Sequence, residues 1–145
     1  MIVGVIDMII EIKNDLNVCE YNKLRKEVGW ETKNPIIVQK AIQNSTIVKK
    51  ALYNNEIVGM ARAIGDGMSY LLVDVVVSSK YQKSGIGKQL VNSIIEDVKN
   101  NTLIGEYSTI NLISVKGMEK FYESCGFKNV PFDYNGHGMR MKIEK

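Results

Sequence analysis

Apolar and polar positions alternate in some stretches of the chain and recur every three or four residues in others, and these changes of period divide it into elements. Ile9 to Lys13 reads as a strand, and Asn14 to Asn17 supplies turn and cap chemistry. Val18, Tyr21, Leu24 and Val28 recur at helical spacing, with Gly29 as the stop signal and Trp30 in a polar link beyond it. Pro35 opens a second, short helix over Ile36 to Asn44, whose inward positions are read as Ile37 and Ala41, with Val38 and Ile42 as further candidates. Ser45 to Tyr53, Glu56 to Ile64 and Tyr70 to Val77 read as three successive strands joined by the turns Asn54-Asn55 and Gly65-Asp66-Gly67. The third is the most apolar, the pattern of a strand buried on both faces. Leu90, Val91, Ile94, Ile95 and Val98 line one side of a helix running from about Ile86 to Lys99. A strand over Ser108 to Val115 and a helix over Gly117 to Cys125, stopped by Gly126, follow. Phe127 to Asp133 is extended, though Pro131 bars a regular central strand there, and Met139 to Ile143 alternates as a closing strand. The order β-α-α-β-β-β-α-β-α-β-β predicts an α/β (α+β) fold, a mixed sheet with helices on both faces.

At 145 residues the chain fits one domain, residues 1–145, with a real core. Residues 1–7 are read as an extra strand segment or a frayed end. The first ten residues are mostly apolar but carry Asp7 and no basic start, and the run is too short to span a membrane. Lys+Arg 19 against Asp+Glu 16 gives a net charge of +3, which suits an anionic ligand and is too small to argue for nucleic acid. Cys19 and Cys125 have no metal-like spacing and suit thiols in a reducing cytosol, so the expected location is cytoplasmic. A metal site would need more ligands than the single His137 and scattered carboxylates.

The candidate chemistry centres on the link between the third meander strand and the long helix. Two glycines, Gly85 and Gly87, flank Ile86 where the helix begins. Glycines let the backbone turn sharply and approach a ligand, and a helix start offers unpaired N–H groups at the positive end of its dipole. Strand, tight loop and helix start together make a phosphate site. The spacing is neither that of a dinucleotide fingerprint nor that of a nucleoside-triphosphate loop.

Gln82-Lys83-Ser84-Gly85-Ile86-Gly87 resembles the Gln/Arg-x-x-Gly-x-Gly/Ala signature of the GNAT superfamily of acetyl-CoA-dependent N-acetyltransferases. Lys120-Phe121-Tyr122-Glu123-Ser124-Cys125-Gly126-Phe127 is similar to the Phe/Leu-Tyr-x-x-x-Gly-Phe helix end of the same family. The resemblance covers most of the chain from about residue 45 onward. It implies a mostly antiparallel central sheet of about seven strands. It also implies that Gln82, Lys83, Ser84, Gly85, Ile86, Gly87 and Lys88 hold the coenzyme A pyrophosphate, and that backbone at Val75, Val76 and Val77 pairs with the pantetheine arm. An N–H of that strand would stabilise the developing oxyanion. An amine would attack acetyl-CoA directly in a ternary complex, with Tyr122 as general acid for the thiolate.

Asp74 is the only charged residue of the strand Tyr70–Val77, and by alternation it shares a face with Leu72 and Val76. Burial in an apolar strand favours the protonated form of a carboxylate, which suits a base, so Asp74 is the candidate base or substrate anchor; a water chain is the alternative. Asp74 pairing locally in the sheet, Tyr122 as a core aromatic and the glycine loop as a plain strand-to-helix turn stand beside these readings. In this layout Trp30 borders the acceptor site and is a candidate lining residue; a plug between helices is its other reading. The family often has Asn seven residues before the tyrosine and Ala four before, where this chain has Val115 and Met118. The implied function is transfer of acetyl from acetyl-CoA to a primary amine of a small molecule, with no metal, nucleic acid or membrane partner. Acetylation of a protein amine, and a non-catalytic acyl-CoA-binding sensor, are the alternatives. Family members often dimerise through the late strands, which would place residues 127–143 at a homodimer interface.

Overall fold

The computed structural model describes residues 8–145; the segment read as an extra strand or frayed end, residues 1–7, lies outside them. The chain divides into two compact units, one ending at Asn111 and the other running from Leu112 to Lys145.

The first unit is a five-stranded sheet of order β1-β2-β3-β4-β5. Its elements are β1 (Glu11–Lys13), α1 (Val18–Glu27), α2 (Pro35–Gln43), β2 (Ile47–Tyr53), β3 (Glu56–Gly65), β4 (Ser69–Val77), a single 3-10 turn (Ser79–Tyr81), α3 (Ile86–Asn101) and β5 (Thr109–Asn111). β1 to β4 are antiparallel, and β5 joins β4 in parallel. Asn54 and Asn55, both at positive φ, make the two-residue turn between β2 and β3. That conformation matches the twist of a tight hairpin, and asparagine tolerates it. α1 opens with a capping box, in which the Asn17 side chain accepts from the Glu20 N–H and the Asn17 N–H donates back to Glu20.

Each face of the sheet carries a helical layer. On one, Tyr21 and Leu24 of α1 and Val38 of α2 enclose Met60, Ile57 and Val76 with Leu16. α2 presents Val38 and Ile42, four residues apart, to this core, whereas Ile37 is 63% exposed. Of the four positions expected inward, Val38 and Ile42 face the core, Ala41 is half-buried and Ile37 is exposed. On the other face α3 buries Ile86, Leu90, Val91, Ile94 and Val98. Gly59 of β3 lets α3 approach: a Cβ there would lie 2.9 Å from Leu90 Cδ1 and 3.2 Å from Ile86 Cγ2.

Two buried lysines on β2 tie the layers to the sheet. Lys49 Nζ reaches Asp97 of α3 at 2.7 Å and donates to Asn14 Oδ1 at 2.6 Å. Lys50, one residue on and hence on the opposite face, pairs with Asp15 and with Glu20 of α1, each at 3.0 Å. Burial alone would lower the Lys50 pKa, but its bonds to Asp15 and Glu20 outweigh this and raise it.

The second unit contains α4 (Glu119–Ser124) and otherwise irregular chain. The strands expected over Phe127 to Asp133 and Met139 to Ile143 do not form, so among the described residues the sheet has five strands rather than about seven. Alternation marks a strand only where a neighbour takes its backbone hydrogen bonds; here Met139, Met141 and Ile143 are all exposed. The strand expected over Ser108 to Val115 is ordered as β5 only over Thr109–Asn111.

Candidate active site

β4 carries a bulge at its centre. Val73 stands opposite Arg62 and Val76 opposite Met60, so Asp74 and Val75 together face the single residue Ala61. Asp74 takes a φ of +51° to make this possible. A left-handed conformation costs a non-glycine residue about 1–2 kcal/mol, least for Asp and Asn. The bulge also corrects the expected alternation. Leu72 pairs with Ala63, on the α3 face, whereas Asp74 is bonded to Arg62 on the α1 face, and Val76 joins the α1-side core. Asp74 thus shares a face with Val76 and not with Leu72.

The Asp74 carboxylate does not sit among apolar side chains. Arg62 Nε donates to Oδ2 at 2.8 Å, the Tyr21 hydroxyl donates to the same oxygen at 2.7 Å, and Arg25 Nη1 lies 3.6 Å from Oδ1. Arg62 also donates to Ser45 Oγ. Burial first, then the hydrogen bond to Asp74, raises the Tyr21 pKa, so its hydroxyl holds its proton. Tyr21 and Arg25 are one helical turn apart on α1, a spacing that places them on one face; no sequence signal tied them to Asp74.

Trp30 is held by the end of α1. Gly29 at positive φ ends the helix, its N–H donates to the Lys26 carbonyl, and the Trp30 N–H donates to the Arg25 carbonyl at 2.8 Å. This paired-bond helix end brings residue and cap side chain together. The Arg25 guanidinium lies 5.1 Å above the Trp30 ring and 5.7 Å from the Tyr21 ring. Trp30, Arg25, Tyr21, Arg62 and Asp74 are therefore one contiguous cluster.

β5 pairs with β4 only over Ser69–Leu71, opposite Thr109–Asn111. Beyond Leu71, β4 has no β5 partner, and the edge along Val75, Val76 and Val77 is left out of that ladder. Val76 itself is 3% exposed, so the residue offers backbone rather than side chain. At the end of β4 the Ser78 N–H donates to the Val58 carbonyl, the 3-10 turn follows, and Gln82 Nε2 donates back to the Val77 carbonyl at 3.2 Å. The Ser84 hydroxyl donates to the Tyr81 carbonyl. Lys83 has a φ of 62° and Gly85 a φ of 86°.

Gly85 is the residue at which α3 starts, and no side chain caps that start. The Gln89 N–H closes onto the Gly85 carbonyl. The N–H groups of Ile86, Gly87 and Lys88 precede any intrahelical partner, which is the arrangement that binds phosphate. A Cβ at Gly85 would meet nothing within 4 Å, so the glycine serves the turn and an open approach, not protein packing. Ile86 points its side chain into the core, 1% exposed, and has only its N–H for the loop.

In the second unit Tyr122 sits on α4. The Gly126 N–H donates to the Glu123 carbonyl and the Phe127 N–H to the Tyr122 carbonyl, with Gly126 at a φ of 101°. This is the same paired-bond helix end as at Gly29. Its aromatic contact is present too: the Tyr122 ring meets Phe127 at 6.0 Å and Phe121 at 5.0 Å, both edge to face. Burial, chiefly, and the neighbouring Cys125 raise the Tyr122 pKa, which keeps the hydroxyl protonated and able to donate. Ser114 donates its hydroxyl to the Val115 carbonyl. Among the described residues no group of three or more His, Cys, Asp or Glu is placed to hold a metal ion, and no helix is long and apolar enough to cross a membrane.

The site therefore consists of a strand that loses its parallel neighbour halfway, followed by an uncapped glycine-led helix start. Residues 21–143 match the acetyltransferase (GNAT) domain, and the chain belongs to that family of acyltransferases. It is 30% identical to the uncharacterized N-acetyltransferase ycf52 of Pyropia yezoensis over 135 residues, which is 90% of this chain and 75% of the relative. Among solved structures it is similar to the GNAT-family acetyltransferase SP0256 of Streptococcus pneumoniae, with a TM-score of 0.76, 26% identity, and coverage of 95% of this chain and 99% of the other. The probable acetyltransferase SA2161 of Staphylococcus aureus aligns with a TM-score of 0.80 at 25% identity, over 93% of this chain and all of that one (100%). Enzymes of this family generally use acetyl-CoA as donor.

Proposed function

We propose that this protein moves the acetyl group of acetyl-CoA to a primary amine of a small molecule by direct attack in a ternary complex. The observation that carries the donor side is the start of α3. Gly85 is left-handed, no side chain caps the helix, and the loop continues directly from a half-unpaired β4.

In this reading the N–H groups of Gln82 to Gly87 and the Lys88 cation hold the pyrophosphate, and the backbone of Val75 to Val77 takes the pantetheine arm as an added strand. The amine nitrogen attacks the thioester carbonyl carbon. A strand N–H stabilises the oxyanion, the carbon–sulfur bond breaks, and the Tyr122 hydroxyl gives its proton to the departing thiolate. Trp30 lines the acceptor side. The carboxylate of Asp74 is already engaged by Arg62, Tyr21 and Arg25, so this reading does not use it as the base and leaves the amine proton to water. The family match spans 21–143 and supports taking both units as one acetyltransferase domain. A cytoplasmic location and a homodimer through residues 127–143 belong to the same proposal.

The test is to incubate the protein with acetyl-CoA and a panel of small amines and follow free thiol. Amine-dependent thiol release supports the reading. Acetyl-CoA binding with no release for any small amine contradicts it and turns the acceptor toward a protein amine or the activity toward sensing.

A further inference from the structure

We infer that Asp74 is a positioning residue, whose clamp by Arg62 and Tyr21 holds the β4 bulge in its left-handed conformation and thereby aims the strand's backbone at the thioester. The inference rests on the acetyl-CoA reading given above.

Three observations converge on it. First, Asp74 is the residue of β4 with positive φ, and it lies at the point where two residues face Ala61. A bulge leaves peptide groups of the extra residue out of the ladder, and here the neighbouring edge has no β5 partner either. Backbone N–H groups so freed can serve a ligand.

Second, the register on either side is fixed by other residues. Val73 pairs with Arg62, and Val76 is buried against Met60. Flattening the bulge would slip the strand by one residue and turn every side chain beyond it to the opposite face. Val76 would leave the core and Val77 would enter it. The bulge is therefore a discrete state, and Asp74 is the residue that must bear its geometry.

Third, the side chain is tied from two elements at once. Arg62 on β3 and Tyr21 on α1 converge on one carboxylate oxygen, and Arg25 of α1 lies nearest the other. Arg25 is itself stacked on Trp30 and donates its Nε to the Glu31 carbonyl. The titratable and charged groups facing Asp74 are thus Tyr21, Arg25 and Arg62. Both hydrogen bonds to this carboxylate fall on Oδ2, which commits that oxygen to the protein, while Oδ1 faces the Arg25 guanidinium at 3.6 Å.

The substitutions Asp74→Asn, Asp74→Gly and Asp74→Ala separate the two roles. Asparagine keeps tolerance for positive φ and an acceptor oxygen; glycine keeps the tolerance alone; alanine keeps neither. The readout is the carbonyl stretch of carbon-13-labelled acetyl-CoA bound to each protein, together with kcat and the pH profile of kcat/KM. Positioning predicts a lowered stretch in the wild type that survives in Asp74→Asn, is weaker in Asp74→Gly and is lost in Asp74→Ala. It predicts that kcat falls by about 10²-fold in Asp74→Ala, the scale of losing one oxyanion donor. It also predicts that Asp74→Asn keeps the acidic limb of the pH profile. If Asp74→Ala does not fold, Asp74→Asn against Asp74→Gly carries the test, with asparagine the more active. An unchanged stretch in Asp74→Ala, or loss of the acidic limb with equal loss of kcat in Asp74→Asn and Asp74→Gly, overturns the inference. A wild-type protein that binds no acetyl-CoA overturns the parent reading, and this one with it; binding with the wrong order among variants overturns this one alone.

Discussion

The N–H of Phe127 donates to the carbonyl of Tyr122 at 3.1 Å, and the two rings meet edge to face at 6.0 Å. One backbone bond thus fixes the direction of the tyrosine that the Tyr-x-x-x-Gly-Phe pattern singles out. The bond depends on Gly126, whose φ of 101° a β-branched residue resists. Gly126→Val is expected to cost about 1–2 kcal/mol locally and to lower kcat while acetyl-CoA affinity holds. Calorimetry for binding and thiol release for turnover separate the two effects; a parallel fall in both would mean the helix end serves the cofactor rather than the tyrosine.

Tyr122→Phe keeps both ring contacts and removes only the hydroxyl. Turnover is expected to drop by about 10²-fold, the lower end for a general acid, since a thiolate is a fair leaving group. Acetyl-CoA binding should stay within about twofold of wild type. Steady-state kinetics with a saturating amine checks this, and an unchanged kcat would take Tyr122 out of the reaction.

Tyr21 and Tyr122 both have raised pKa values, in each case chiefly by burial, above the ordinary 10.0. The unfolded chain ionises at the ordinary value and the folded one later, so between the two the folded state binds more protons. Stability from these residues is complete below about pH 10 and is lost as pH rises through the folded pKa. In an alkaline titration followed by phenolate absorbance, Tyr21 and Tyr122 should ionise above the ordinary tyrosine value. Asp74→Asn should move Tyr21, and not Tyr122, toward the ordinary value, because it removes the carboxylate that Tyr21 faces.

Gly59→Ala places a methyl 2.9 Å from Leu90 Cδ1 and 3.1 Å from the Val76 carbonyl. Both neighbours are in the core, so α3 must shift away from β3. An overpacking cost of about 1–3 kcal/mol is expected in urea unfolding, with the m-value unchanged. Because Ile86 also lies within 3.2 Å of that position, coenzyme A affinity should fall as the loop is displaced.

Elements whose pattern is local were legible in the sequence. The cap chemistry before α1, the Asn54-Asn55 hairpin, the glycine stops at Gly29 and Gly126 and the apolar stripe of α3 are all decided by residues close together in the chain. What depends on distant partners was not legible. The bulge at Asp74 comes from register with β3, so strict alternation put the residue on the wrong face relative to Leu72. The clamp on Asp74 joins positions 21, 25, 62 and 74, which share no sequence spacing. Lys49 and Lys50 look like surface residues of a strand, and their burial depends on Asp97, Asp15 and Glu20. The late alternation at Met139 to Ile143 forms no strand, and its apolar side chains are exposed.

The donor site can be tested by titrating coenzyme A into the protein in a calorimeter, with Gly85→Val alongside. A saturable heat with one site per chain in the wild type, lost in Gly85→Val while its unfolding curve stays cooperative, is the expected result. No heat in the wild type, or the same heat in both proteins, would contradict a coenzyme grip at the start of α3.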